Sequence, residues 1–160
     1  MRKKSLALLL ITLLTLSSFS QIACGEDTVK RVKQKVTDLA IYTDAGLQLA
    51  DDFEREKVLS PEQAGVARAA LEQVKGALQV FIDRAKGYTK FDAGSKAELA
   101  GLFADVAAGV REVMTKAKPL IVAAIGALGV AHAERLLSKA NTLLVAMETS
   151  ARLIESRLGN

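Results

Sequence analysis

His132, the only histidine in the chain, stands two residues before Glu134, just past a long apolar run. An imidazole next to a carboxylate at a helix end has the two groups of a general acid–base pair. A zinc or nucleophilic site needs more, and the chain offers neither a second histidine nor any thiol besides Cys24. Met114 and Met147, together with His132, are the ligand types that hold noncovalent haem in a secreted helical bundle. Both methionines fall on or beside apolar seam positions, where a thioether ordinarily fills core gaps. There is no Glu-x-x-His pair of the kind used by di-iron bundles, and no Cys-x-x-Cys-His for covalent haem. The side-chain chemistry therefore predicts a non-enzymatic chain with no metal and no cofactor.

Two charged stretches could bind rather than catalyse. Asp51-Asp52-Phe53-Glu54-Arg55-Glu56-Lys57 concentrates carboxylates, which take divalent ions when they converge. Consecutive helical residues point in different directions, and Asp51 with Arg55 makes an i,i+4 pair, so a solvated, self-paired face is expected. Lys30, Arg31, Lys33 and Lys35 form a cationic stretch close behind Cys24. Near a bilayer each such cation adds about 1 kcal/mol of attraction to anionic lipid. Glu26 and Asp27 offset the unfavourable placement of cations at a helix start.

What stands before Cys24 sets the address. Met1-Arg2-Lys3-Lys4 is basic, Ser5 to Leu16 is apolar or hydroxyl-bearing throughout, and Ser17 to Ala23 is small and polar on the approach to the cysteine. That is the layout of a secretory signal, residues 1–23, and its apolar core of about a dozen residues is shorter than the roughly 20 needed to span a bilayer. Gln21-Ile22-Ala23-Cys24 resembles the lipobox of bacterial lipoproteins, with Ala23 and Cys24 matching its two strictest positions and Gln21 standing where that family has an aliphatic residue. The resemblance implies that the Cys24 thiol is acylated by diacylglycerol and becomes the N-terminus, anchoring the protein to a membrane. The alternative is ordinary secretion at Ala23-Cys24-Gly25, cut before Glu26, or at Ser18-Phe19-Ser20. Either route exports the protein, to the periplasm or to the membrane-anchored lipoproteins of a bacterial cell envelope, with no disulfide.

Composition narrows the class. The sequence pI of about 9.3 owes much to Arg2, Lys3 and Lys4. Taking these three from the 22 Lys and Arg leaves 19 cations against 18 Asp and Glu, a net charge near +1. Such a balance excludes nucleic acid as a partner, since that needs a persistent basic face. Half the residues are apolar, only 4% are aromatic and Trp is absent. The core must be aliphatic and rich in alanine, which favours helices. Residues 24–160 form one domain.

The elements follow from periodicity. From Asp27 to Lys57, Val29, Val32, Val36, Leu39, Thr43, Gly46, Ala50 and Phe53 repeat at alternating three and four. Ser60-Pro61-Glu62-Gln63 is a capping box with proline at the first helical position, and Ala67, Leu71, Val74, Leu78, Phe81 and Ala85 form the seam behind it. Gly87 is the expected stop. Ser95-Lys96-Ala97-Glu98 is a second capping box, leading into Leu99, Phe103, Val106, Val110, Val113 and Ala117. Leu137, Ala140, Leu144, Met147, Ala151, Ile154 and Leu158 make a heptad seam.

Pro119 to Ala131 contains no polar side chain and admits two layouts. A helix starting at Pro119 would run about 60 Å to Leu158 at 1.5 Å per residue. Alternatively, the third helix passes through Pro119 and a turn at Gly126 to Gly129 begins the fourth near Val130. The second layout gives matched helices of about 31, 26, 32 and 29 residues and an all-α, up-down-up-down four-helix bundle. A five-helix version breaks near Gly126 to Gly129 after a start at Pro119. Leu120, Ile121, Ile125 and Leu128 are the apolar contact candidates of this stretch, either for the core or for a membrane or partner groove. Two functions are expected: an envelope protein that offers a helix face to an unidentified envelope partner, or a membrane-active protein that inserts 119–131.

Overall fold

The computed structural model describes the backbone of residues 2–125 and 130–159, and the side chains of 27–120 and 134–159. It holds four helices: α1 (Arg2–Arg55), α2 (Pro61–Ala85), α3 (Ala93–Ile125) and α4 (Val130–Leu158). Pro119 lies inside α3, and Gly126 to Gly129, which fall outside the described residues, stand between α3 and α4. This is the four-helix layout. No helix starts at Pro119, which removes both the 40-residue helix and the five-helix version.

Each helix packs on two neighbours, α1 on α2 and α4, α3 on α2 and α4. Cross-helix ion pairs show the antiparallel order. Arg68 near the start of α2 meets Asp51 near the end of α1 at 2.7 Å, and Lys75 meets Asp44 at 3.0 Å. Arg84 at the end of α2 meets Glu98 at the start of α3, and Arg111 of α3 reaches Glu155 of α4 at 3.6 Å. The bundle therefore runs up, down, up, down.

The predicted seams are the core. Every seam residue named above for α2 and α3 is buried, as are those of α1 except the half-buried Gly46. Thr43, 1% exposed, is accommodated because its hydroxyl donates to the Leu39 carbonyl at 2.8 Å. In α4 the seam opens at Leu136, not Leu137: Leu136 is buried with Leu49 and Phe53, and Leu137 is half-buried. A four-residue step from 136 to 140 to 144 keeps the first turns of α4 facing α1.

The helix ends are satisfied locally. Ser60 and Gln63 exchange hydrogen bonds, Gln63 N–H to Ser60 Oγ at 3.2 Å and Ser60 N–H to Gln63 Oε1 at 3.0 Å, which is the predicted capping box. At α3 the box lies three residues earlier than expected. Ser95 N–H donates to Asp92 Oδ1 at 2.7 Å and Asp92 N–H to Ser95 Oγ at 2.9 Å, so Asp92 is the cap. A carboxylate accepts more strongly than a hydroxyl at the positive end of a helix, and capping there releases Glu98 for other partners. At its C-terminal end, α1 closes with the Val58 N–H on the Phe53 carbonyl at 2.8 Å and the Lys57 N–H on the Glu54 carbonyl at 3.0 Å. This is a Schellman closure with Lys57 in the left-handed region at φ 58°, a place usually held by glycine.

Candidate functional site

Most of the chemistry-bearing residues do not converge. Glu134 is exposed, and the side chain of His132 lies outside the described residues. Met147 is 1% exposed within the main core and Met114 packs against its edge, which is the packing use of methionine. Among the described residues no group of three or more His, Cys, Asp or Glu could hold a metal ion.

The acidic end of α1 is ion-paired mainly to α2, and only in part to itself. Asp51 accepts from Arg68 of α2 at 2.7 Å and Glu54 accepts from the same guanidinium at 2.6 Å, while Arg55 pairs with Asp52. Asp51 and Glu54, three apart, share the face of α1 that looks at α2, so the cross-helix arginine takes both and the Asp51–Arg55 pair does not form.

Leu120 is half-buried and packs on a cluster of Leu49, Phe53, Val58, Leu59, Ala64, Leu136 and Ala140. The side chains of Ile121, Ile125 and Leu128 lie outside the described residues, as does that of Cys24. Above this cluster, where the four helices meet, is a wholly apolar cavity of about 40 Å³, walled by Gly46, Leu49, Phe53, Leu71, Leu144 and Met147 among others. Its lining offers no polar group to hold a ligand or a water by hydrogen bonds. Among the described residues no helix is long and apolar enough to cross a membrane.

The opposite end of the bundle gathers cations. Lys30 is exposed; Arg31 reaches Asp27 at 3.8 Å; Lys35 holds Asp38 at 2.8 Å; Lys33 donates from Nζ to the Tyr88 carbonyl at 3.1 Å, tying α1 to the loop between α2 and α3. Lys86 and Lys90 lie in that loop, Lys86 paired with Asp83 at 2.8 Å. The antiparallel return of α4 brings Arg157 to the same end, where Arg31, Lys35 and Arg157 rim a groove of about 220 Å³ between α1 and α4. Its floor is Val32, Leu153 and Ile154, of which Val32 and Ile154 are buried and Leu153 is 43% exposed. The hydrogen bond and charge of Asp38 raise the Lys35 ammonium above its ordinary range. Arg31 and Lys35 were visible in the sequence as a local run, but Arg157 and Leu153 became part of the site only through the pairing of the first helix with the last.

Beside it, Glu98 accepts from Arg84 and from the Tyr88 hydroxyl, the latter at 2.6 Å, and the Arg84 guanidinium sits 5.9 Å over the Tyr88 ring. The Arg84 hydrogen bond, then that of Tyr88, holds the Glu98 carboxyl below its ordinary range, and Glu98 pushes the Tyr88 phenol up. At neutral pH one is a fixed anion and the other a fixed neutral donor, which suits a clasp between helices better than proton transfer. No protein-family model, no curated protein and no solved structure matches this chain.

Proposed function

We propose that this chain is a non-enzymatic, exported protein of a bacterial cell envelope, anchored through acylated Cys24, whose bundle serves as an interaction module for another envelope protein. The observation that carries the reading is the charge polarity of α1. Residues 27–38 of α1 carry four cations against two carboxylates, and residues 44–57 carry five carboxylates against two cations. The cationic end, joined by Lys86, Lys90 and Arg157, is the one that follows Cys24 in the chain. An anchored bundle so oriented sets its cations against an anionic bilayer, adding an electrostatic attraction to that of the acyl chains. Its far end, with the Lys57 to Ser60 turn and Leu120, then points towards a partner. The packing of Leu120 on the Leu49–Phe53 cluster supports a core role for the start of 119–131 over membrane insertion.

Two measurements test the proposal. The intact mass of the membrane-extracted protein is expected to show acyl chains on a chain beginning at Cys24; a chain beginning at Glu26 ends the anchoring reading. Crosslinking in intact cells from a photoreactive group at Glu62, exposed at the far end, is expected to trap a discrete partner. A monomer with no crosslinked species ends the interaction reading.

A further inference from the structure

We infer that the groove between α1 and α4 is a binding site for the phosphate of an anionic phospholipid, with Arg31, Lys35 and Arg157 around the headgroup and the first acyl methylenes on the exposed Leu153. The inference rests on the reading that this end of the bundle faces a bilayer, and it deepens that reading from a charged surface to a shaped site.

Three features carry it. The first is that the cations come from two helices and surround a concavity of about 220 Å³, so their charges converge on one volume instead of spreading along a helix face. Between Gln34 and the cations, Leu153 presents apolar surface, 43% exposed although a leucine at a helix interface ordinarily turns inward. A free inorganic anion gains nothing from such a surface, whereas an amphiphile covers it. Finally, the local carboxylates leave the cations available. Asp27 meets Arg31 only at 3.8 Å with both side chains more than half exposed, whereas Asp38 holds Lys35 at 2.8 Å in a half-buried pair that a phosphate joins rather than replaces. Arg157 adds a planar guanidinium, whose fork of N–H donors fits phosphate oxygens two at a time.

The probe is the full-length protein, extracted from membranes into neutral detergent micelles and examined by native mass spectrometry with added phosphatidylglycerol or phosphatidylcholine. Phosphatidylglycerol is expected to stay on the protein in preference to phosphatidylcholine. Retention should fall about fivefold in Arg157→Gln and about 25-fold in the Lys35→Gln, Arg157→Gln double variant, each cation being worth about a factor of five at a bilayer surface. Lys139→Gln, which removes a cation from α4 near the far end, should leave retention unchanged. Leu153→Asn should weaken phosphatidylglycerol but not glycerol phosphate, which has no acyl chain to cover the floor. Circular dichroism of each variant confirms that the bundle is intact. Equal retention by the wild type and the double variant overturns the site, as does equal retention of the two lipids. Displacement of phosphatidylglycerol by an equal concentration of inorganic phosphate overturns the lipid in favour of a free anion. The same spectra give the mass of the chain itself, so the state of Cys24 is scored separately from the groove.

Discussion

Across the α2–α3 seam Phe81 meets Phe103 edge to face at 5.4 Å, and Gly109 lets Val74 lie against the α3 backbone, whereas across the α1–α4 seam the helices part over two grooves of about 430 and 220 Å³. The first seam presents small and aromatic residues to each other, and water has no reason to enter. At the second, Gln48 and Asp52 of α1 face Lys139 and Thr142 of α4 along one groove, and Arg31 and Lys35 face Arg157 along the other. Long polar side chains keep their solvation only by standing out of the interface, and in doing so they hold the helix edges apart. Ile41, Val145 and Leu153, three of the exposed large apolar side chains, lie on these two helices. The sealed seam stores stability, and the open one is where a ligand can enter.

The widest separation between the two seams should come from truncating each. Phe103→Ala, at a site 1% exposed and in ring contact with Phe81, is expected to cost about 3–5 kcal/mol. Leu153→Ala on the open seam should stay within about 0.5 kcal/mol. Urea denaturation of both variants gives the comparison directly, and similar losses would mean that the two seams are not energetically distinct.

Glycine substitutions probe the same contrast with a single methyl group. A Cβ on Gly109 would stand 2.9 Å from Val74 Cγ2 and 3.5 Å from the Val74 backbone, and a valine side chain on a helix has little rotamer freedom to withdraw. Gly109→Ala is therefore expected to destabilise by about 1–2 kcal/mol, overpacking outweighing the gain in helix propensity. At Gly76, on the exposed face of α2, a Cβ meets nothing within 4 Å. Gly76→Ala should stabilise by about 0.5–1 kcal/mol. A stabilising Gly109→Ala would show that α2 and α3 can separate without loss, and the close approach would lose its significance.

These seams were legible because burial imposes a period. The three-and-four spacing of Val74, Leu78 and Phe81, or of Phe103, Val106 and Val110, has only one helical face to occupy. The turn residues were legible where one signal stood alone, as at Ser60-Pro61. They misled where two competed: Asp92-Ala93-Gly94-Ser95-Lys96-Ala97-Glu98 contains two overlapping capping boxes, and the choice fell to the better acceptor. Leu136 and Leu137 are adjacent leucines, and only the angle of α4 against α1 decides which is buried. Half of the groove was legible for the same reason. Arg31 and Lys35 are neighbours along the chain, whereas Arg157 reaches them by tertiary pairing, which leaves no local mark in the sequence.

A smaller effect should come from a site belonging to neither seam. Lys57 holds the left-handed conformation that closes α1, which costs a residue with a Cβ about 1 kcal/mol. Lys57→Gly is expected to stabilise by about that amount. Because Lys57 stands exposed in the α1–α2 turn and Gly109 faces Val74 across α2 and α3, the Lys57→Gly, Gly109→Ala double variant should show the sum of the two single effects in urea midpoints. Departure from additivity would mean that strain in the α1–α2 turn is transmitted into the sealed seam.

The smallest effects are those of pH, and they fall into an acid set and an alkaline set. At the α2–α3 end the Asp92 carboxyl is lowered by the Ser95 N–H and hydroxyl, that of Glu98 by Arg84 and Tyr88, and that of Asp83 by Lys86 and Gln79. A carboxyl with a lower pKa folded than unfolded contributes stability that is complete above about pH 4 and lost as pH falls through the folded value. Tyr88 is raised chiefly by its hydrogen bond to Glu98, and Lys35 of the open seam by Asp38. Their contributions are complete below about pH 10 and lost as pH rises through the folded values. Urea midpoints against pH should therefore show a plateau with an acid and an alkaline limb. Glu98→Gln should shallow both limbs, since it removes a lowered carboxyl and the cause of the raised phenol together. Lys35→Gln should touch the alkaline limb alone. Each of these groups is solvent-accessible, so added salt should shrink every one of these differences. An acid limb that Glu98→Gln leaves unchanged would show that the Arg84–Glu98–Tyr88 clasp does not hold the two helices of the sealed seam.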